Sequence, residues 1–187
     1  VRIMEQPYTR QLVMKLADLE QIPPLVLPEG YQIHTADVHS REVWEAIVES
    51  AFDAKIDYTE KLDRPALVPE TRCWFVTVNG TDVATASSYN NKDYPGLGFL
   101  HMVATRKDAR GLGAGRLAVL AVLHGLAGCG LHGCVLTTDD FRLPAIGLYL
   151  SLGFVPVIDG EEMRQRWDQI YQQLNACPHK GKKRDKQ

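Results

Sequence analysis

The 187-residue chain is 45% hydrophobic and 24% charged, with a net charge of −2, as expected for one globular domain or one domain with short extensions. Its densest apolar run, Leu117–Leu123, is far shorter than the ~20 residues of a membrane span, and the first ten residues hold no signal-peptide apolar core. The expectation is a cytoplasmic protein without a membrane partner. Five basic residues (Lys180, Lys182, Lys183, Arg184, Lys186) and one acid sit near the C-terminus, so the rest of the chain is distinctly acidic. An acidic body argues against a surface for nucleic-acid phosphates, and the tail reads as solvated and disordered. Cys73, Cys129, Cys134 and Cys177 form no C-x-x-C pair and meet no histidine cluster, so no metal is expected; Cys73 and Cys134 sit in apolar runs as small core residues.

In chain order, Ile22–Gly30 holds three prolines and a glycine, which makes an extended lead-in. Tyr31–Thr35 alternates as a short strand. Ser40–Phe52 spaces Val43, Ile47 and Ala51 by four beside Trp44, which predicts a helix with Ser40 as N-cap. Asp53–Glu70 is irregular, with room for one short helix. Cys73–Val78 and Val83–Tyr89 flank Asn79-Gly80, a hairpin signal. Gly98–Thr105 is a further strand, followed by a glycine-rich turn and a helix over about Gly113–Ala127. Cys134–Thr138 reads as a buried strand, Pro144–Leu152 as a helix, Phe154–Ile158 as a final strand and Glu161–Leu174 as an amphipathic helix. The order implies an α/β fold with a mixed sheet. Residues 1–30 would be the lead-in, 31–158 the main domain, 159–175 a C-terminal helix and 176–187 the basic tail.

The turn Arg110-Gly111-Leu112-Gly113-Ala114-Gly115-Arg116 carries the most information. Glycines allow a sharp turn, so several N–H groups can converge where a helix begins, and these unpaired donors suit a pyrophosphate. Arg110 and Arg116 add positive charge. No Lys-Ser or Lys-Thr follows, as a P-loop requires, and Arg116 stands where a dinucleotide fingerprint needs its third glycine. The pattern [Gln/Arg]-x-x-Gly-x-[Gly/Ala] is met by Arg110, Gly113 and Gly115. Upstream lies the apolar strand Leu100–Thr105; downstream, Ala145, Tyr149, Gly153 and Phe154 fit A-x-x-x-Y-x-x-x-G-F. In these motifs the chain resembles the GNAT superfamily of acetyl-CoA-dependent N-acetyltransferases. Arg142 stands where that family often has asparagine, Lys107 where it often has proline, and the stretch after Ile158 does not resemble its usual last strand.

The resemblance implies a mixed, mostly antiparallel sheet, splayed at the cofactor site and flanked by helices. It implies that the backbone of Val103, Ala104 and Thr105 pairs with the pantetheine arm of acetyl-CoA. Arg110, Gly111, Leu112, Gly113, Ala114, Gly115 and Arg116 would hold the pyrophosphate. Tyr149 matches a general acid near the CoA sulfur, and His101 a general base, since imidazole accepts a proton at neutral pH. A packing role for either residue stands as the alternative. Glu49, Asp53, Asp139 and Asp140 are further candidates for contact with the acceptor amine. The expected activity is acetyl transfer to a primary amine by direct attack, the amine belonging to a small molecule or to a peptide or protein. The alternatives are a non-catalytic acyl-CoA-binding module and a nucleotide-binding protein. A homodimer is compatible with this reading.

Overall fold

The computed structural model describes residues 10–37, 40–62 and 73–176. The basic tail, Cys177 and the second part of Asp53–Glu70, residues 63–70, lie outside them. One seven-stranded sheet runs through the molecule: β1 (Leu12–Leu16), β2 (Tyr31–Thr35), β3 (Cys73–Val78), β4 (Thr81–Asn90), β5 (Leu97–Thr105), β6 (Gly133–Thr138) and β7 (Val155–Pro156). The helices are α1 (Ser40–Phe52), α2 (Tyr58–Leu62), α3 (Ala114–Gly128), α4 (Leu143–Ser151) and α5 (Glu161–Ala176). In space the strands follow β2-β3-β4-β5-β6-β1-β7, and only β5–β6 is parallel among the pairs recorded.

Local chemistry explains most of these elements. Asn79 and Gly80 both take positive φ, 48° and 81°, the twist a tight β3–β4 hairpin demands. Side chains on β3, β4 and β5 alternate between two cores. Cys73, Phe75 and Ala104 join Trp44, Ile47 and Val48 of α1 on one face. Val76, Ala84, Ala86 and Leu100 pack on α3 across the other. α3 is apolar nearly all round because its inner face covers four strands. In α1 the buried stripe is Ser40, Trp44, Ile47 and Val48, whereas Val43 is exposed, so the expected stripe is rotated by one position. Ser40 Oγ accepts the Asp37 N–H and donates back to Asp37 Oδ1, so the pair secures the helix start, in place of Ser40 acting alone.

Two expectations need correction. The stretch 1–30 is more than a lead-in, because Leu12, Met14 and Leu16 form the core face of β1, which pairs antiparallel with β6 from Leu12↔Thr138 to Leu16↔Cys134. The final strand is only Val155–Pro156, and one further bond, Val157 N–H to Val13 O at 2.9 Å, holds the chain against β1 beyond it. Past it the chain enters α5, and it is β1 that occupies the slot between β6 and β7.

α5 is fastened by Arg166, which is 1% exposed. Its Nε and Nη2 donate to the two Asp140 carboxylate oxygens at 3.0 and 2.6 Å, and Nη2 also reaches the Arg10 carbonyl at 2.9 Å. Removing one partner of a buried ion pair leaves the other charge without compensation. Arg166→Ala is expected to lower unfolding free energy by about 3–5 kcal/mol, and Arg166→Met by less; urea denaturation measures both.

Candidate active site

The site begins where β5 and β6 part. Their parallel ladder runs only from Leu97↔Gly133 to Leu100↔Leu136. Beyond it β5 continues through Thr105, paired on one side alone, with Thr85↔Ala104 and Ala84↔Thr105 on β4. The cause is local. Met102 has φ 49°, and Met102 and Val103 together face the single residue Ala86, which makes a bulge that increases twist and turns the strand away. The free edge of Val103, Ala104 and Thr105 is thus left open inside the molecule, able to pair with an extended ligand.

The strand leads through a single 3₁₀ turn, Lys107–Ala109, into the glycine turn. Gly111 and Gly113 take φ of 85° and 79°, in the left-handed region, and nothing lies within 4 Å of where a Cβ would stand on either. Gly113 caps α3 without any side-chain hydrogen bond, and the first helical bond recorded there is Leu117 N–H to Gly113 O, so the N–H groups of Ala114, Gly115 and Arg116 face out of the turn. A Cβ on Gly115 would come within 2.7 Å of Thr105 Oγ1, so its absence lets α3 sit against β5. Uncovered donors around an open concavity fit a pyrophosphate. The arginines are held by neighbours: Arg110 Nη2 donates to Ala51 O of α1 at 3.1 Å and Arg116 Nη1 to Ser151 Oγ of α4 at 2.8 Å.

His101 and Tyr149 stand on opposite faces of the sheet. His101 pairs with Ser87 in the register and makes an edge contact with Tyr89 at 5.2 Å, on the α1 face. Tyr149 is 6% exposed within the α3-side core, 5.9 Å from Phe154. Burial pushes its phenol up to about 12, partly offset by the positive charge of Arg142, so it stays protonated. Arg142, which departs from the motif pattern, stands at the N-cap of α4. It proves to be tightly placed. Its Nε donates to Asp139 Oδ2 at 2.8 Å, and Gln11 Nε2 donates to Asp139 Oδ1 at 2.8 Å. The guanidinium lies 4.8 Å from the Phe52 ring of α1 and 5.5 Å from Phe141. Of the other acids, Asp53 pairs with Lys107 at the exposed surface, whereas Asp140 pairs with the buried Arg166, which commits Asp140 to structure. Among the described residues no cluster of potential metal ligands occurs and no helix is long and apolar enough to cross a membrane.

A mixed sheet opened beside a glycine-capped helix is the frame of an acyl-CoA-dependent acetyltransferase. The sequence profile of the Acetyltransferase (GNAT) family matches residues 36–154, and the chain belongs to that family. It is 29% identical over 149 residues to the mycothiol acetyltransferase of Nocardia farcinica, covering 73% of this chain and 49% of the relative. The chain spans about half the length of the curated relatives it matches. The GCN5-related N-acetyltransferase of Sphaerobacter thermophilus superposes with a TM-score of 0.62 at 22% identity, over 79% of this chain and 50% of that one. The structure of AAC(6')-Iy in complex with the bisubstrate analog CoA-S-monomethyl-acetylneamine gives 0.56 at 17% identity, over 70% and 97%.

Burial also pushes the Cys73 and Cys134 thiols up to about 12. The folded chain therefore holds protons that the unfolded chain releases above about pH 9 for the thiols and pH 10 for Tyr149. Stability from these groups is complete below pH 9 and is lost as pH rises towards 12. Urea midpoints are expected to fall across that window, and less steeply in a Cys73→Ala/Cys134→Ala variant.

Proposed function

We propose that the chain moves an acetyl group from acetyl-CoA to the amine of a small molecule by direct attack. The observation carrying this reading is the unpaired edge of Val103–Thr105 leading straight into the glycine turn. Together they form a main-chain track ending in a cluster of amide donors, matched to a pantetheine arm followed by a pyrophosphate. The relatives named for mycothiol acetylation favour a small-molecule acceptor over a protein.

Each group has a distinct task. Val103, Ala104 and Thr105 orient the pantetheine arm through backbone pairing, while Gly111 to Arg116 hold the pyrophosphate with N–H groups and the α3 dipole. Acetyl-CoA supplies an activated thioester. His101, on the α1 face, takes the proton an ammonium must lose before its nitrogen can attack. Backbone donors near Val103 stabilise the oxygen that gains charge. Tyr149, on the α3 face and protonated at working pH, donates a proton to the departing thiolate. Placing base and acid on opposite faces of the parted sheet lets acceptor and cofactor approach from different sides. Arg142 adds positive charge beside the Tyr149 phenol, where the thiolate develops.

Released thiol, followed across a panel of small amines, measures turnover. Tyr149→Phe is expected to lower kcat by about 10²-fold with acetyl-CoA affinity unchanged. His101→Gln is expected to slow turnover at neutral pH and to recover as pH rises and the amine deprotonates unaided. A chain that binds acetyl-CoA yet releases no thiol with any amine would remove the catalytic reading.

A further inference from the structure

β4 carries hydroxyls in the middle of the sheet. Thr85, Ser87 and Ser88 are fully buried, although the strands on either side give Phe75, Val76 and Leu100 to the two cores. A hydroxyl taken out of water costs free energy unless it finds a partner, and two of these partners bear on the opening. Thr85 Oγ1 donates to Trp74 O of β3 at 2.9 Å, and Ser87 Oγ donates to His101 O of β5 at 2.7 Å. The two residues flank Ala86, the single residue that faces both Met102 and Val103. Thr85 thus ties β4 to β3, while Ser87 ties β4 to β5 at the last paired residue before the bulge.

The Ser87 bond falls on the peptide that starts the bend. His101 C=O and Met102 N–H belong to one planar unit, so holding the carbonyl oxygen holds the plane from which Met102 turns at φ 49°. A positive φ is uncommon for a residue with a long side chain. Released from that bond, the plane can rotate, Met102 can relax towards extended angles, and the extra residue of the bulge can move along β5. Val103, Ala104 and Thr105 follow directly. Backbone groups alternate in direction along a strand, so a shift of one residue would aim the wrong ones into the opening. Ser87 itself lies behind β5, since β4 and β6 flank that strand on opposite sides, and it acts on the opening only through β5.

We propose that Ser87 is a positioning residue, whose hydroxyl locks the His101–Met102 peptide and so aims the Val103–Thr105 edge into the parted sheet. The proposal rests on the acetyl-CoA reading of that edge. This role separates Ser87 from Thr85, which is equally buried but bonds to β3. Both hydroxyls support the fold, and only that of Ser87 falls on a peptide of the strand that borders the opening.

Calorimetry on the full chain tests this with CoA and with 3′-phospho-ADP, the same nucleotide without its pantetheine arm. Ser87→Ala is expected to weaken CoA by about three- to tenfold, the scale of one hydrogen bond, and to leave 3′-phospho-ADP affinity unchanged. Thr85→Val is expected to lower the urea midpoint, as Ser87→Ala does, while CoA affinity holds. Equal CoA affinity in the parent and Ser87→Ala overturns the proposal. An equal loss for both ligands also overturns it, as does a loss of CoA affinity in Thr85→Val as large as in Ser87→Ala, because either result marks general loosening of the fold. A parent chain that binds neither ligand, or binds CoA no better than 3′-phospho-ADP, removes the acetyl-CoA reading of the edge itself, and the role of Ser87 falls with it.

Discussion

The molecule depends on two neighbouring strands that stop pairing. After Leu100 and Leu136, β5 bends away because two of its residues face one on β4 and Met102 adopts a backbone angle uncommon for its type. Buried backbone polar groups normally find partners, so an interior edge is costly unless its surroundings hold it open for a ligand. The two cores do this. α1 with its Trp44–Ile47–Val48 stripe braces β5 from one face, and α3 braces it from the other, drawn in by the missing Cβ of Gly115.

The opening also divides the chemistry. His101 belongs to the α1 face and Tyr149 to the α3 face, in surroundings that differ in kind: the histidine lies half-buried beside an aromatic ring, the phenol deep in apolar packing. Arg142 links the two faces. It starts on α4, is set by Asp139 and Gln11, and lays its guanidinium over Phe52 at the end of α1. Gln11 adjoins β1, so that strand helps to position a charge beside the candidate acid.

Elements made by local chemistry were legible in the sequence. The Asn79-Gly80 hairpin, the glycine turn and the helix with proline in its first turn each carry their cause within a few residues. β1 was missed although Leu12, Met14 and Leu16 alternate, because its partners stand more than a hundred positions away and a proline-rich stretch follows it. The two-residue β7 was overestimated because the apolar character of Phe154–Ile158 suggested a longer strand, whereas its register with β1 covers only Val155 and Pro156. The opening itself was expected only from the family resemblance. Its physical cause, the positive φ of Met102, leaves no mark in composition or periodicity.

The position of β1 also has a consequence for biosynthesis. Leu12 is made well over a hundred residues before its ladder partner Thr138, and the strand closing the other side, at Pro156, follows later still. At ordinary translation rates that interval is on the order of ten seconds, during which an apolar strand has no native neighbour. Nascent chains should therefore engage holding chaperones through the β1 segment, and the sheet should close only after β6 and β7 have left the ribosome.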